Sequence, residues 1–405
     1  MSDKRCFLFL QGPQSPFCRR LGLALLDRGH DVYKINMCGG DVFFWPTPHA
    51  IHWRGHREAW PQWIAGRMDS LGITDMMLHG DWRPLHRDAV LMARQRGIRV
   101  WAFEEGYLRP NYITLEEGGV NAASPLPRNA EGIRELAARL AHIRPETPSK
   151  ATIPFWLRAF MHIWHHAGNV LLWPLFHRYR THRPYHIGCE ICGWVPRLFM
   201  RKRRHADSVR VLRHFYNQNL PFYFMPLQLD TDSQIRRHSP FSGILESLAV
   251  VITDFSANAP KDSFLLIKNH PLDNGLINYR RYVRSLGAAK GCSDRLRFLE
   301  SVNTMSLINR CKGVVLCNST VGLSALQAGK AVYCLGDAVY AMPGLAVSGQ
   351  DMPLSRFWSE LPTPDAGLLE GFIHVLKAAA LIPGDFQSHS GIDDAVTAAL
   401  RRMDA

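Results

Sequence analysis

The chain opens on an apolar pentad, Cys6 to Leu10 (CFLFL), a length and composition that predict a strand covered on both faces. Gln11-Gly12-Pro13-Gln14-Ser15-Pro16 breaks the run, and Phe17 to Arg28 then carries apolar residues at helical spacing until Gly29 stops it. Asp31 to Asn36 (DVYKIN) predicts a second strand, ending before Cys38-Gly39-Gly40-Asp41. Strand, glycine-bearing loop, helix and strand within about 30 residues make a βαβ unit, so a parallel sheet is expected from the N-terminus. The unit lacks GxGxxG and gives no support to a dinucleotide site. Thr74 to His79 predicts a further strand ending at Gly80-Asp81, Asp88 to Arg96 a helix, and Ile98 to Phe103 a strand running into Glu104-Glu105-Gly106. Four strand ends bearing glycine or acid on one sheet edge outline a ligand cleft.

A second α/β pattern starts near Pro221. Strands are expected at Phe222 to Leu229, Phe264 to Lys268, Leu296 to Leu299, Gly313 to Cys317 and Ala331 to Leu335, with helices between them at Ser242 to Asp254, Thr304 to Cys311 and Val321 to Ala328. The predicted fold class is therefore α/β, with Rossmann-like domains over 1–150 and 216–345, an intervening segment 151–215 and a helical tail 346–405. Two successive Rossmann-like domains are the GT-B plan of glycosyltransferases, which other two-domain α/β enzymes share.

Composition changes this picture mainly through charge. A net charge of +13 on 405 residues points to nucleic acid, an anionic membrane surface or acidic substrates. Between Pro154 and Arg204, Trp156, Phe160, Trp164, Trp173 and Phe176 are interleaved with Arg158, Arg178, Arg180, Arg197, Arg201, Lys202, Arg203 and Arg204. Such a segment suits an interfacial element against anionic lipid, or else a helical core between domains. Stacking on single-stranded nucleic acid would use the same residue types, but no RNA- or DNA-binding module surrounds them, and nucleic acid is not an expected partner. Nine irregularly spaced cysteines fit reduced thiols rather than a disulfide framework. Cys6 to Leu10 is too short for a signal-peptide core, and no apolar stretch reaches the ~18 residues that span a bilayer, so the expectation is a cytoplasmic protein, soluble or peripheral.

Three strand ends carry candidate chemistry. Glu104-Glu105-Gly106 is either a solvated turn or a catalytic pair in which one carboxyl has a raised pKa and the other acts as base or nucleophile. Asn318-Ser319-Thr320 follows a buried strand, and its hydroxyls either bind phosphate or cap the next helix. In Lys268-Asn269-His270-Pro271, His270 could donate to a phosphate or a pyrimidine while Pro271 sets the exit of the chain. Two metal-like patterns are weaker. Asp230-Thr231-Asp232 resembles a metal-binding DxD but follows the opening strand of a Rossmann-like domain, and His182, His186, Cys189 and Cys192 have zinc-compatible spacing without a second conventional pair; no metal is predicted.

Taken together, the carboxylate pair before glycine, the His-Pro and the Ser/Thr pair about 50 residues later resemble the motif set of CMP-sugar-dependent transferases, bacterial sialyltransferases among them. The wording FEEGYLRPNYITLE, the opening QGP…GHDVYKINMCGGD, and PLQLDTDSQIRRHSPF look like capsule proteins of the KpsS/LipB type, relatives of the KpsC/LipA β-Kdo transferases, over roughly residues 5–340. The resemblance implies a retaining transferase that moves Kdo from CMP-β-Kdo onto phosphatidylglycerol, starting the poly-Kdo linker at the inner face of the inner membrane. It makes 1–150 the acceptor and catalytic domain and 216–345 the CMP-sugar domain, with no cofactor beyond the donor substrate. Glu105 falls where KpsC-type relatives usually carry a nucleophilic Asp, and Glu104 stands beside it. Lys268, His270, Pro271, Asn318, Ser319 and Thr320 would hold CMP. Arg109 would either meet the Kdo carboxylate or pair with Glu104 or Glu116, and Gln11, Gly12, Gly40 and Asp41 would contact sugar or acceptor. A KpsC-like transferase and the capsule export complex are the implied protein partners. The rival expectation is a non-catalytic component of capsule export.

Overall fold

The computed structural model describes residues 4–46, 49–149, 153–181, 187–230, 235 and 238–404. It divides into two compact units. The first takes in Met1–Pro125, Arg139–His182 and His374–Ala405, and the second Leu126–Ala138 and Arg183–Ile373.

Six strands of the first unit come from the N-terminal part of the chain: β1 (Cys6–Phe9), β2 (Asp31–Asn36), β3 (Ala50–His52), β4 (Asp75–His79), β5 (Arg99–Glu105) and β6 (Tyr112–Glu117). The seventh, Leu381–Pro383, comes from the C-terminal part and pairs antiparallel with β6. The sheet order is Leu381–Pro383, β6, β5, β4, β1, β2, β3, and β1 to β5 are mutually parallel. Both faces of this sheet are covered, which is why β1 reads as an unbroken apolar run. Side chains alternate across a strand, so Phe7 and Phe9 join Phe17, Phe103 and Phe386 on one face while Cys6 and Leu8 join Trp60, Ile64 and Met76 on the other.

The second unit holds β7 (Phe222–Pro226), β8 (Phe264–Lys268), β9 (Leu296–Leu299), β10 (Gly313–Leu316), β11 (Ala331–Cys334) and β12 (Val347–Ser348). All are parallel, in the order β12, β11, β10, β7, β8, β9. In each sheet the chain reverses direction of strand addition at one place, between β1 and β4 in the first and between β7 and β10 in the second. In open α/β sheets, ligands bind outside the carboxyl ends of strands at such points. Two Rossmann-like α/β units are thus present, as the periodicity predicts.

The division of the chain differs from the expected boundaries in three places, one being Leu126–Ala138, which falls within the expected domain 1–150 but belongs to the second unit. Residues 346–405 do not form a separate tail. Trp358 is buried in the second core, its Nε1 donating to Asp254 at 2.6 Å, whereas helix His389–Asp404 lays Ala395, Ala398, Ala399 and Met403 into the first core beside Phe17 and Leu21. The intervening segment is likewise shared: helices Phe155–Leu171 and Trp173–Phe176 belong to the first unit and helix Ile187–Asn217 to the second. Among the described residues, no helix is long and apolar enough to cross a membrane.

Candidate active site

The strand carrying the two glutamates is longer than its apolar run. β5 continues through Glu105 because β6 pairs with it antiparallel, Glu104 opposite Thr114 and Glu105 opposite Ile113. Successive strand residues lean to opposite sides, so the pleat gives the two carboxylates unlike surroundings at the strand end, while both lie close enough to His79 to act on its charge. Gly106 follows at the tip, where a Cβ would stand 2.3 Å from the Tyr112 carbonyl oxygen, and no larger residue fits.

Glu104 is half-buried, and burial raises its pKa against the opposing pull of a hydrogen bond from its neighbour's amide and of the Arg83 and Arg109 charges. The Glu105 amide donates to Glu104 Oε1 at 3.1 Å. His79, the last residue of β4, places Nε2 3.8 Å from the same oxygen. Burial, with Arg83 alongside, pushes the His79 pKa down to about 3, so the ring is neutral at physiological pH. Arg83 Nη2, which can only donate, lies 2.8 Å from His79 Nδ1. The proton of the neutral ring therefore sits on Nε2, toward Glu104. Asp81 is buried nearby, accepts from the Val120 amide at 3.2 Å, and is pushed by burial up to about 6. Arg109 is exposed and donates from Nε to the Gly106 carbonyl at 3.2 Å; Glu116 instead accepts from Tyr107 Oη at 2.7 Å and from Ser124. His79 and Arg83 belong to this cluster although sequence patterning gives only their strand and its loop. The sole hint was a polar residue closing the run TDMMLH.

Gln11 follows β1 at the switch point of the first sheet. Its Nε2 donates to Asp41 Oδ1 at 3.2 Å, and its Oε1 accepts from Arg83 Nη1 at 3.0 Å. Asp41 turns inward, accepting from the Met37 amide at 2.9 Å and the Cys38 amide at 3.3 Å. Gly40 lies under helix Phe155–Leu171, where a Cβ would meet His165 Nδ1 at 2.2 Å, and its amide donates to Asn169 Oδ1 at 2.8 Å. Gly12 packs against Cys18, whose Sγ is 2.5 Å from where its Cβ would be. Of these four residues, Gln11 is the one joined directly to the His79–Arg83–Glu104 cluster.

In the second unit, the ends of β7 and β10 are tied together. Gln228 Nε2 donates to Asn318 Oδ1 at 3.0 Å, its Oε1 accepts from the Asn318 amide at 3.1 Å, and Asn318 Nδ2 donates to the His238 carbonyl at 3.1 Å. Ser319 Oγ accepts from the Val321 amide at 3.3 Å, while Tyr340 donates to the Ser319 carbonyl. Lys268 closes β8 with a buried side chain, and burial lowers its pKa. Asn269 donates to Asp273 Oδ2 at 3.2 Å and to Glu300 Oε2 at 3.1 Å and accepts from the His270 amide at 2.9 Å, which sets the turn carrying His270 and Pro271. Helix Ile187–Asn217 secures this turn: Arg197 donates to Asp273 Oδ2 at 2.5 Å and to the His270 carbonyl at 3.1 Å, and Arg204 approaches Glu300 at 3.5 Å. Two arginines of the basic segment are thus ion-paired within the second unit, while Arg201, Lys202 and Arg203 stay exposed.

Among the described residues no group of His, Cys, Asp or Glu could hold a metal ion. His182, His186, Thr231 and Asp232 lie outside the described residues; Cys189 and Cys192 are exposed thiols, and Asp230 Oδ1 accepts from the Ile244 amide at 3.0 Å.

A family model described as capsule polysaccharide biosynthesis protein matches residues 74–387. The chain belongs to this family. The capsule polysaccharide export protein KpsS of Escherichia coli is 33% identical over 378 residues, which are 92% of this chain and 94% of the relative. The capsule polysaccharide modification protein LipB of Neisseria meningitidis serogroup A is 31% identical over 398 residues, 94% of this chain and 91% of that one. Among solved structures, the β-Kdo 2,4 transferase of KpsC from Thermosulfurimonas dismutans has 15% identity and a TM-score of 0.44, covering 96% of this chain and 97% of its own. The β-Kdo 2,7 transferase of the same organism's KpsC has 14% identity and a TM-score of 0.42, covering 98% and 99%. The resemblance read from FEEGYLRP holds at the level of the capsule family.

Proposed function

We propose that the chain is a retaining, metal-independent β-Kdo transferase that uses CMP-β-Kdo to start a poly-Kdo linker on phosphatidylglycerol. The observation that carries this reading is a pair of carboxylates placed in unlike surroundings at one strand end. Burial brings Glu104 toward the working range of a general acid–base, and the neutral His79 faces it with an N–H. Glu105 is then the carboxylate that bonds to the anomeric carbon as the bond to the CMP phosphate oxygen breaks and CMP departs with the electron pair. In the second step the acceptor hydroxyl attacks the same carbon, its proton passes to Glu104, and Glu105 leaves with its bonding electrons. Two inversions retain the β configuration.

In this reading the second unit binds the nucleotide. Lys268 supplies charge to the phosphate, Ser319 and Thr320 supply hydroxyls, Asn318 is held by Gln228, and His270 and Pro271 sit on the turn that Arg197 secures. Arg109, whose charge acts on Glu104 without a direct ion pair, is a guanidinium suited to the Kdo carboxylate. Work at the inner face of the inner membrane, beside a KpsC-like transferase and the capsule exporter, accords with the exposed apolar side chains of helix Phe155–Leu171, including Trp156 (68% exposed) and Ile163 (65%).

The test is mass spectrometry of phosphatidylglycerol vesicles incubated with protein and CMP-Kdo, beside Glu105→Gln. A lipid one Kdo heavier, absent with the variant, is expected. The name of the Escherichia coli relative favours a second reading, a non-catalytic export component. That reading requires that saturating CMP leave the melting temperature unchanged, because a ligand specific to the folded state must raise it.

A further inference from the structure

The first unit contains a pocket of about 120 Å³ that neither glutamate lines. Its wall is drawn from separate stretches of chain: Gln11 after β1, Arg54 and Arg57 after β3, Arg83 after β4, and Arg178 and Arg180 beyond helix Trp173–Phe176. Trp53, Leu85 and Phe176 supply apolar surface, and among the described residues no Asp or Glu contributes. Asp41, behind Gln11, spends its carboxylate on the Met37 and Cys38 amides and on Gln11 itself.

Four arginines, Arg54, Arg57, Arg178 and Arg180, therefore line the pocket without an ion-pair partner among the described residues, while Arg83 is bonded to Gln11 and His79 and acts on Glu104. Some arginines elsewhere are neutralised, as Arg5 and Arg99 are by Asp75, Arg96 by Asp69 and Arg197 by Asp273. An anion seated in the concavity would relieve the repulsion among these exposed like charges, and planar guanidinium forks match phosphate oxygens bidentately. The pocket wall also continues directly from an apolar surface. Phe176 to Thr181 follow helices whose Trp156, Phe160, Ile163, Val170, Leu171 and Trp173 are all more than half exposed. An occupant that pairs an anionic head with apolar chains satisfies both features.

We propose that this pocket binds the phosphodiester of an anionic glycerophospholipid, with Arg57, Arg178 and Arg180 on the phosphate and the helix surface under the acyl chains. The transferase reading enters only in making that lipid the acceptor. Arg83 then bridges the pocket to the reacting centre, since one of its nitrogens is bonded to Gln11 in the wall and another to His79 beside Glu104.

The experiment is calorimetric titration of the full chain with monomeric dihexanoyl-phosphatidylglycerol, dihexanoyl-phosphatidylcholine and inorganic phosphate, with the CMP-induced melting shift measured on the same samples. Dihexanoyl-phosphatidylglycerol is expected to bind at least about tenfold more tightly than either other probe, and the triple variant Arg57→Gln/Arg178→Gln/Arg180→Gln to weaken it by about 100-fold with the CMP shift intact. Unchanged lipid affinity in the variant would overturn the pocket assignment. Equal affinity for inorganic phosphate would overturn the lipid as its occupant. Lipid binding that depends on the arginines in a protein with no CMP shift would instead remove the transferase reading and leave the pocket standing.

Discussion

His79 and Glu104 face each other across adjacent strand ends, Nε2 to Oε1 at 3.8 Å, with the histidine held neutral and its proton directed at the carboxylate. A residue of this kind can position a carboxylate and tune it without changing its own charge between pH 5 and 8.

In the proposed mechanism the acid limb of the pH–rate profile belongs to Glu104. Glu104→Gln is expected to lower kcat by roughly 10²–10⁴-fold and to abolish that limb. His79→Gln should retain the limb at a shifted position, because the positioning contact is altered while the titrating group remains. Transfer rates measured from pH 5 to 9 in both variants would distinguish the roles, and a limb lost only in His79→Gln would reverse the assignment.

Asp81 makes stability pH-dependent. Burial raises its carboxyl from 3.8 to about 6. The folded state then binds more protons than the unfolded state between these values, and stability falls as pH rises through that window. Asp81→Asn can keep the bond from the Val120 amide and removes the cost of ionisation, so it should stabilise the protein by about 2 kcal/mol at pH 7.5 and by nothing near pH 4. Thermal melts at the two pH values check the sign; a pH-independent difference would contradict it.

Gly39 and Gly40 are expected to act through packing. A Cβ on Gly39 would stand 2.0 Å from the Gly168 carbonyl oxygen, and neither backbone can withdraw without separating two helices. Gly39→Ala should cost about 1–3 kcal/mol in denaturant unfolding, and Gly40→Ala a similar amount against His165. Activity per folded molecule should change little, whereas a direct substrate contact at Gly40 would raise KM without loss of stability.

Arg197 carries the turn of the second unit. Its side chain is 12% exposed and serves Asp273 directly, with Glu300 3.9 Å away. Arg197→Met removes the cation paired with Asp273, while Glu300 keeps Arg204 and Arg280, and a loss of about 3 kcal/mol is expected. The CMP-induced melting shift should shrink with it, because His270 loses the bond to its carbonyl. An unchanged shift would separate the turn from nucleotide binding.

The first sheet shows why some of this was legible in the chain and some was not. CFLFL predicts a strand because a strand covered on both faces tends to be apolar throughout, and DVYKIN and TDMMLH carry the same local mark in part, through Val32, Tyr33 and Ile35 and through Met76 to Leu78. Short edge elements such as β3 and β12 carry too few buried residues to produce a pattern. The antiparallel return of β6 is what extends β5 through Glu105, and it depends on a partner strand rather than on the composition of β5.

The sequence by itself determined the two α/β units, the polar strand ends at Glu104-Glu105, His270 and Ser319-Thr320, and the family wording around them, because burial and chain reversal leave periodic, local marks. Only the tertiary structure decided that helix His389–Asp404 completes the first core, that Arg197 secures Asn269 to Asp273, and that His79 and Arg83 stand beside Glu104. It also gathered Gln11, Arg54, Arg83 and Arg178 around one pocket. These are relations between residues tens to hundreds of positions apart. Hydrophobic periodicity records whether a side chain is buried, and it carries no information on which distant group meets it there.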